Sequence, residues 1–237
     1  MYAKNILVVG GSRGIGRSVV EHCLEQGANT IVVSRTEGDL QALADSSRLQ
    51  HLKVDVLSDS IDPTGLPEVV DGFVFCPGSI QLGPIRATKS EVMREDFELN
   101  VVAALRCFQT VLANLKKSES ASAVFFSSVA ACQGLPMHTS VAASKGAIES
   151  LVRTWAAELS PKVRVNCVAP ALTDTALAER FLSTEEKRQA MAAMYPLQRI
   201  GAPQDIANAV VHLLSPESSW MTGQVLRVDG GLSSVKK

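Results

Sequence analysis

The apolar, β-branched run Asn5–Val9 (NILVV) is followed at once by Gly10-Gly11-Ser12-Arg13-Gly14-Ile15-Gly16. An unbroken run of this kind belongs to a strand covered on both faces, the habit of a parallel sheet. Glycines at 10, 14 and 16 permit a tight turn and close backbone approach. The periodic stretch through Val19, Val20, Cys23 and Leu24 then reads as a helix stopped at Gly27. Strand, glycine turn and helix in that order leave few folds open. A helix N-terminus attracts a diphosphate, so Gly10, Ser12, Arg13, Gly14, Ile15 and Gly16 are candidate dinucleotide-binding residues.

The alternation continues along the chain. Thr30–Val33 reads as a second buried strand closed by Ser34-Arg35, Asp39–Ala44 as a short helix, and Leu52–Val54 as a third strand before Asp55. The segment 57–70 holds Pro63, Gly65 and Pro67, which predicts a loop where a helix would otherwise fall. Gly72–Cys76 is the fourth strand, and Ser90 to Leu115 reads as one long helix containing Asn100. Ser122–Phe126 is the fifth strand, followed by a loop and a small-residue helix to about Leu159; Val163–Val168 is the sixth. After an excursion over Ala169–Thr184, helices at Glu185–Met194 and Pro203–Leu214 lead to a last strand at Gly223–Val228. Alternating strands and helices predict right-handed βαβ units. The expected architecture is one doubly wound α/β domain over residues 1–237, a parallel sheet with helices on both faces.

Composition narrows the partners. The 23 basic and 24 acidic residues leave a formal charge of −1, which offers nucleic acid no basic field. No apolar run approaches a membrane span, and the first strand begins almost at Met1, so the expected setting is cytoplasmic with no membrane partner. The five cysteines (Cys23, Cys76, Cys107, Cys132, Cys167) form no CxxC pair and read as reduced, buried thiols. The four histidines (His22, His51, His138, His212) share no metal-ligand spacing, so no metal is expected.

Arg35 ends the second strand, where an acidic residue would otherwise bind a ribose diol. A guanidinium there, with Arg13 inside the glycine turn, suits bidentate contact with a 2′-phosphate, and Ser34 could add a hydroxyl. That pattern favours NADP(H) over NAD(H); the other reading of both arginines is a solvated surface group. Asp55 could accept from an adenine amino group with Val56 beside the ring, or could cap a turn.

On these residues the chain resembles the short-chain dehydrogenase/reductase family along essentially its whole length. The matching motifs are GGSRGIG, Asp55-Val56, Asn100 in FELNVVAA, Ser128 in FFSSVAA, Ser144-Lys145, VRVNCVAP, RIGAPQDIANAVVHLLS and the closing VDGG. The resemblance implies a single Rossmann domain with a seven-stranded sheet, assembled as a homodimer or homotetramer. It also implies hydride transfer between a nicotinamide and a small carbonyl or alcohol substrate. Gly78, Pro170 and Thr175 match cofactor-side positions, Thr175 where the family places a hydroxyl near the carboxamide or phosphates.

The family's active site is an Asn-Ser-Tyr-Lys set, in which Ser bonds the substrate oxygen and Tyr moves its proton. Lys binds the nicotinamide ribose and lowers the Tyr pKa, and Asn supports a water relay through a bend in its helix. Asn100, Ser128 and Lys145 match by motif and spacing. The tyrosine position, four residues before Lys145 and thirteen after Ser128, is Val141. Further departures are FCPG at Phe75–Gly78 for NNAG, Pro170-Ala171 for PG, Val9-Gly10 for Thr-Gly, and a shortened segment after Asp55.

A valine carries no acid, so another donor is required. His138 is a candidate, with a pKa range suited to acid–base work, although a solvent-facing loop histidine is the plainer reading. Thr139 or Ser140 is expected to cap the helix, and Tyr195 to pack near the substrate loop. Leu172, Leu177, Phe181, Met191 and Met194 suggest an apolar lid, with Leu82, Leu135, Met137 and His138 opposite. Two functions follow: an NADP(H)-dependent oxidoreductase with a relocated acid, or a nucleotide-binding protein without turnover that acts as a sensor or partner subunit.

Overall fold

The computed structural model describes residues 1, 3–43 and 46–236. Seven strands form one parallel sheet: β1 (Asn5–Val9), β2 (Asn29–Ser34), β3 (Leu49–Lys53), β4 (Gly72–Phe75), β5 (Ala121–Phe126), β6 (Val163–Pro170) and β7 (Val225–Val228). Their order is β3-β2-β1-β4-β5-β6-β7. The helices are α1 (Gly14–Glu25), α2 (Ser90–Phe97), α3 (Ala103–Lys116), α4 (Thr139–Leu159), α5 (Glu185–Ala193) and α6 (Pro203–Leu214). This is the doubly wound Rossmann-like arrangement expected from the sequence.

Strand side chains alternate between faces, and the absence of polar alternation has its explanation there. Leu7, Val9, Phe73, Phe75 and Phe125 pack on one side with residues of α3 and α4, including Phe108 and Trp155. Ile6, Val8, Val74 and Val124 pack on the other with residues of α1 and α6, including Val19, Val20 and Val210. The first face is anchored by aromatic rings. Phe125 lies 5.2 Å from Phe108 and 5.0 Å from Trp155, centroid to centroid, and Phe73 stacks on Phe108 at 5.5 Å.

The chain winds one way from β1 to β3 and the other way from β4 onward, so the sheet's switch point lies between β1 and β4. Crevices for ligands open at such points, outside the carboxyl ends of the strands.

Several expected boundaries move. The helix expected at Asp39–Ala44 is a 3-10 turn over Gly38–Leu43, and Ala44 lies outside the described residues. β3 starts earlier than Leu52 because its residues pair in register with β2, Val32 beside His51 and Ser34 beside Lys53. β6 runs on to Pro170, paired with Val228, and β7 begins only at Val225. The single helix expected from Ser90 to Leu115 is interrupted by a π-helical turn at Glu98–Val102, a feature that clusters at functional sites. The thiols are not uniformly buried, since Cys132 is exposed and Cys76 only partly covered.

The aromatic cluster predicts that Phe125→Ala loses about 3–5 kcal/mol of stability in urea unfolding, the cost of truncating a buried phenylalanine. Loss of ring cover should also shift Trp155 emission to the red in the folded variant.

Candidate active site

The glycine turn is shaped by exclusion. A Cβ at Gly16 would lie 2.3 Å from the carbonyl oxygen of Gly10, and Gly10 itself (φ 77°) would press a Cβ to 3.0 Å from the ring of Pro77. Gly14 is left-handed at φ 54°. α1 therefore starts directly against the end of β1. Arg13 precedes it in extended conformation, no side chain caps its first amides, and no acidic residue lies in its first turn. An uncapped helix start of this kind is suited to a phosphate group. Thr175 sits over the turn, its Cγ2 3.2 Å from where a Cβ on Gly14 would be.

A cavity of about 170 Å³ opens beside the turn, lined by Gly10, Arg35, Asp55, Val56, Gly78 and Leu99 among others. Arg35, which lines it, is exposed, as is Arg13, whose side chain lies over Gly38. Asp55 is a turn cap as well as a wall, its Oδ1 accepting from Leu57 N at 3.1 Å. Ser34 also lines the cavity, but its hydroxyl donates to Thr36 O at 2.8 Å, and His51 Nε2 stands 2.9 Å from the same oxygen. The expected extra donor at Ser34 is thus already engaged, because the backbone turn after β2 brings a carbonyl within its reach.

A second cavity, of about 160 Å³, adjoins the first through the shared residue Gly78. Ser128, Val141 and Lys145 line it, with Ile15, Pro170 and Thr175 from the cofactor side. Among the described lining residues there is no tyrosine. Lys145 is buried, and its Nζ donates to Phe126 O at 3.1 Å. Burial pulls its pKa down to about 8, against the opposing influence of Cys167, Asp96 and Cys76. Ser128 heads a short 3-10 turn, and its Oγ accepts from Ala130 N at 3.2 Å. Its own hydroxyl proton is therefore available to a ligand oxygen.

Asn100 lies in the π-helical turn and is 1% exposed. Its Nδ2 donates to Asp96 O at 2.7 Å, and its buried Oδ1 has no protein hydrogen-bond partner among the described residues. A Cβ on Gly78 would stand 3.4 Å from both this oxygen and Lys145 Nζ. Gly78 thus lies beside both groups, and it lines the cavity together with Lys145.

Other expected residues are placed elsewhere. His138 does not line the cavity; its Nδ1 is 2.7 Å from Pro136 O at the start of α4. Tyr195 is buried behind Leu172, whose backbone N–H donates to its hydroxyl at 3.3 Å, and burial raises its pKa. Leu172 and Leu177 line the cavity, whereas Phe181, Met191, Met194, Leu82, Leu135 and Met137 do not. Neither Thr139 nor Ser140 caps α4: no side chain does, and Ser140 Oγ instead donates to Asp96 Oδ2 at 2.7 Å. Ser79, a cavity residue, donates to the other oxygen of the same carboxylate. Sequence reading singled out neither Ser79 nor Asp96. The available signal was an acidic residue one helical turn before Asn100 in a helix whose other acids face solvent.

Residues 9–233 match the family model described as "Enoyl-(Acyl carrier protein) reductase". The chain belongs to the short-chain dehydrogenase/reductase family. It is 33% identical to a tropinone reductase homolog of Arabidopsis thaliana, over 97% of this chain and 92% of that protein. It is 31% identical to a 3-oxoacyl-[acyl-carrier-protein] reductase of Thermotoga maritima, over 97% of each. Among solved structures, the aldohexose dehydrogenase of Thermoplasma acidophilum superposes with a TM-score of 0.87 at 27% identity, covering 100% of this chain and 97% of that one. The Pseudomonas aeruginosa RhlG/NADP active-site complex gives 0.89 at 25% identity, with 98% and 97% covered. No described helix is long and apolar enough to cross a membrane.

The buried lysine gives the short-chain dehydrogenase/reductase fold of this chain a pH signature. The folded protein releases the Lys145 proton near pH 8, and the unfolded chain holds it until about 10.5. Between those values the unfolded state binds more protons, so this group makes stability rise with pH. At roughly 1.4 kcal/mol per pKa unit, the full change is up to about 3 kcal/mol. Burial also pushes up the Cys23, Cys76, Cys107 and Cys167 thiols, which lowers stability once the unfolded thiols ionise. The lysine's rise is therefore read as the difference between wild type and Lys145→Met in urea unfolding from pH 7.5 to 10.5 (roughly the window the two pKa values define).

Proposed function

We propose that the protein is an NADP(H)-dependent oxidoreductase that interconverts a small carbonyl compound and its alcohol. One observation carries the reading: the two cavities share Gly78 and together flank the glycine turn, Gly10 lining one and Ile15 the other. A groove of that form fits a dinucleotide. The uncapped amides of α1 and the hydroxyl of Thr175 would hold the diphosphate, and Arg35 with Arg13 would hold a 2′-phosphate. Asp55 and Val56 would bound the adenine, and Lys145 would take the ribose hydroxyls while Pro170 backs the nicotinamide. When bound, the nicotinamide supplies or accepts the hydride. The relatives named as reductases support the same class of activity.

The substrate oxygen falls to Ser128, which has a proton to donate. Asn100 braces the helix turn behind the cavity and faces its acceptor oxygen toward Lys145. Val141 takes the place of the family's tyrosine, so the proton must come from another group, and His138 lies outside the cavity that would use it. Assembly through the exposed small residues of α4, Ala143 and Ala157 among them, into a homodimer or homotetramer accompanies this reading, as does a cytoplasmic setting.

Val141 also favours a second reading, an NADP(H)-binding protein that does not turn over. Fluorescence titration with NADPH and NADH, followed by turnover against a panel of small ketones and aldehydes, separates the two. The oxidoreductase reading expects NADPH to bind more tightly than NADH and carbonyl reduction by wild type. Wild type that binds NADPH but moves no hydride, while Val141→Tyr gains activity, would establish the second reading. Arg35→Ala should weaken NADPH by roughly tenfold or more, the scale of a lost charge-assisted hydrogen bond, and leave NADH nearly unchanged. Equal loss for both cofactors would refute the phosphate role.

A further inference from the structure

We propose that Ser79 and Asp96 form the proton relay of this site, with Ser79 as the catalytic hydroxyl and Asp96 as the positioning residue behind it. The proposal rests on the oxidoreductase reading above and supplies the donor that Val141 does not.

Asp96 is a carboxylate 2% exposed, in the last turn of α2. A buried carboxylate is costly unless it is well paired, yet both its side-chain hydrogen-bond partners among the described residues are neutral hydroxyls. Ser140 Oγ donates to Oδ2 at 2.7 Å, and Ser79 Oγ donates to Oδ1. The two hydroxyls are not equivalent. Ser140 is 3% exposed and sealed between α2 and α4, whereas Ser79 lines the cavity that holds Ser128, Val141 and Lys145. The carboxylate therefore has one closed partner and one that opens on the reaction space. Asn100 Nδ2, directed mainly at Asp96 O, stands 3.5 Å from Ser79 Oγ and fixes it from a third side. Lys145, which lines the same cavity as Ser79, is a charged group on which the Asp96 carboxylate exerts a direct electrostatic influence. Ser79 and Val141 line the same cavity, so the relay opens on the space that the apolar position bounds.

A hydroxyl backed by an oriented carboxylate is the arrangement of an acid–base group. In alcohol oxidation the substrate hydroxyl proton passes to Ser79 Oγ while the Ser79 proton passes to the Asp96 carboxylate. The substrate C–H bond breaks, its hydride leaving to the oxidised nicotinamide, and a carbonyl forms. Reduction runs the same transfers backwards: hydride reaches the carbonyl carbon, the substrate oxygen gains the Ser79 proton, and Ser79 regains one from the Asp96 carboxyl. Asp96 exchanges that proton with water between turnovers. Ser140 holds Oδ2 throughout, keeping Oδ1 aimed at Ser79.

The test uses NADPH and butane-2,3-dione, an activated small ketone, with Ser79→Ala, Ser79→Thr and Asp96→Asn. Ser79→Ala and Asp96→Asn should lower kcat by about 100-fold, the low end for loss of an acid–base group, with the dione KM and NADPH affinity little changed. Ser79→Thr, which keeps the hydroxyl, should recover most of the rate. A second readout needs no turnover: the infrared carbonyl stretch of carbon-13-labelled dione bound with NADP+. Wild type should lower this frequency, Ser79→Ala should return it toward the free value, and Asp96→Asn should do so in part. If Asp96→Asn does not fold, the cavity-lining Ser79 variants decide the matter alone. Wild-type turnover with an unchanged kcat and carbonyl band in Ser79→Ala overturns the relay and leaves the oxidoreductase reading standing. Wild type that binds NADPH without reducing any carbonyl overturns both.

Discussion

The carbonyl oxygen of Gly10 stands where a side chain at residue 16 would begin, 2.3 Å from an added Cβ. This approach joins the end of β1 to the start of α1 with no room for anything larger than hydrogen. Pro77, from the loop after β4, closes on Gly10 from the other side, 3.0 Å from where a Cβ on that residue would stand. The helix start, the switch point of the sheet and the FCPG loop are thereby locked into one corner. The groove proposed for the cofactor lies along that corner, and Gly78, the next residue in the loop, is shared by its two cavities.

From that corner the reaction space is assembled by long-range packing. β5 delivers Ser128, α4 delivers Val141 and Lys145, and the π-helical turn turns Asn100 inward. Lys145 reaches back to Phe126 O, tying α4 to the end of β5. Its burial removes water from the ammonium, the cause of its lowered pKa. Val141 adds an apolar surface to this cavity, and Ser79, bonded to Asp96 behind it, is one of the hydroxyls that share its wall with Ser128.

Much of this was legible in the order of residues. NILVV followed by GGSRGIG dictates strand, turn and helix, because burial on both faces removes polar alternation and the turn excludes side chains. Ser128 and Lys145 line one cavity, and Asn100 lies behind it beside Gly78. What could not be read is which polar side chain meets which. Ser140 has the sequence position of a helix cap, but Asp96, distant by 44 residues, offers a stronger acceptor than a backbone amide offers as a donor. Ser34 was equally ambiguous until the turn after β2 set Thr36 O within its reach. The π-helical turn has no propensity signal either, since it adds one residue to a helix whose apolar pattern is otherwise intact.

In the proposed reaction hydride moves between a nicotinamide held in this groove and a carbonyl carbon beside Ser128 and Lys145. Its most direct test is isotope transfer: NADPH deuterated at one face of C4, incubated with the protein and butane-2,3-dione, with the product examined by mass spectrometry. The account predicts deuterium on the new carbinol carbon from one cofactor face and none from the other. Bound NADPH with no label in any product would contradict it.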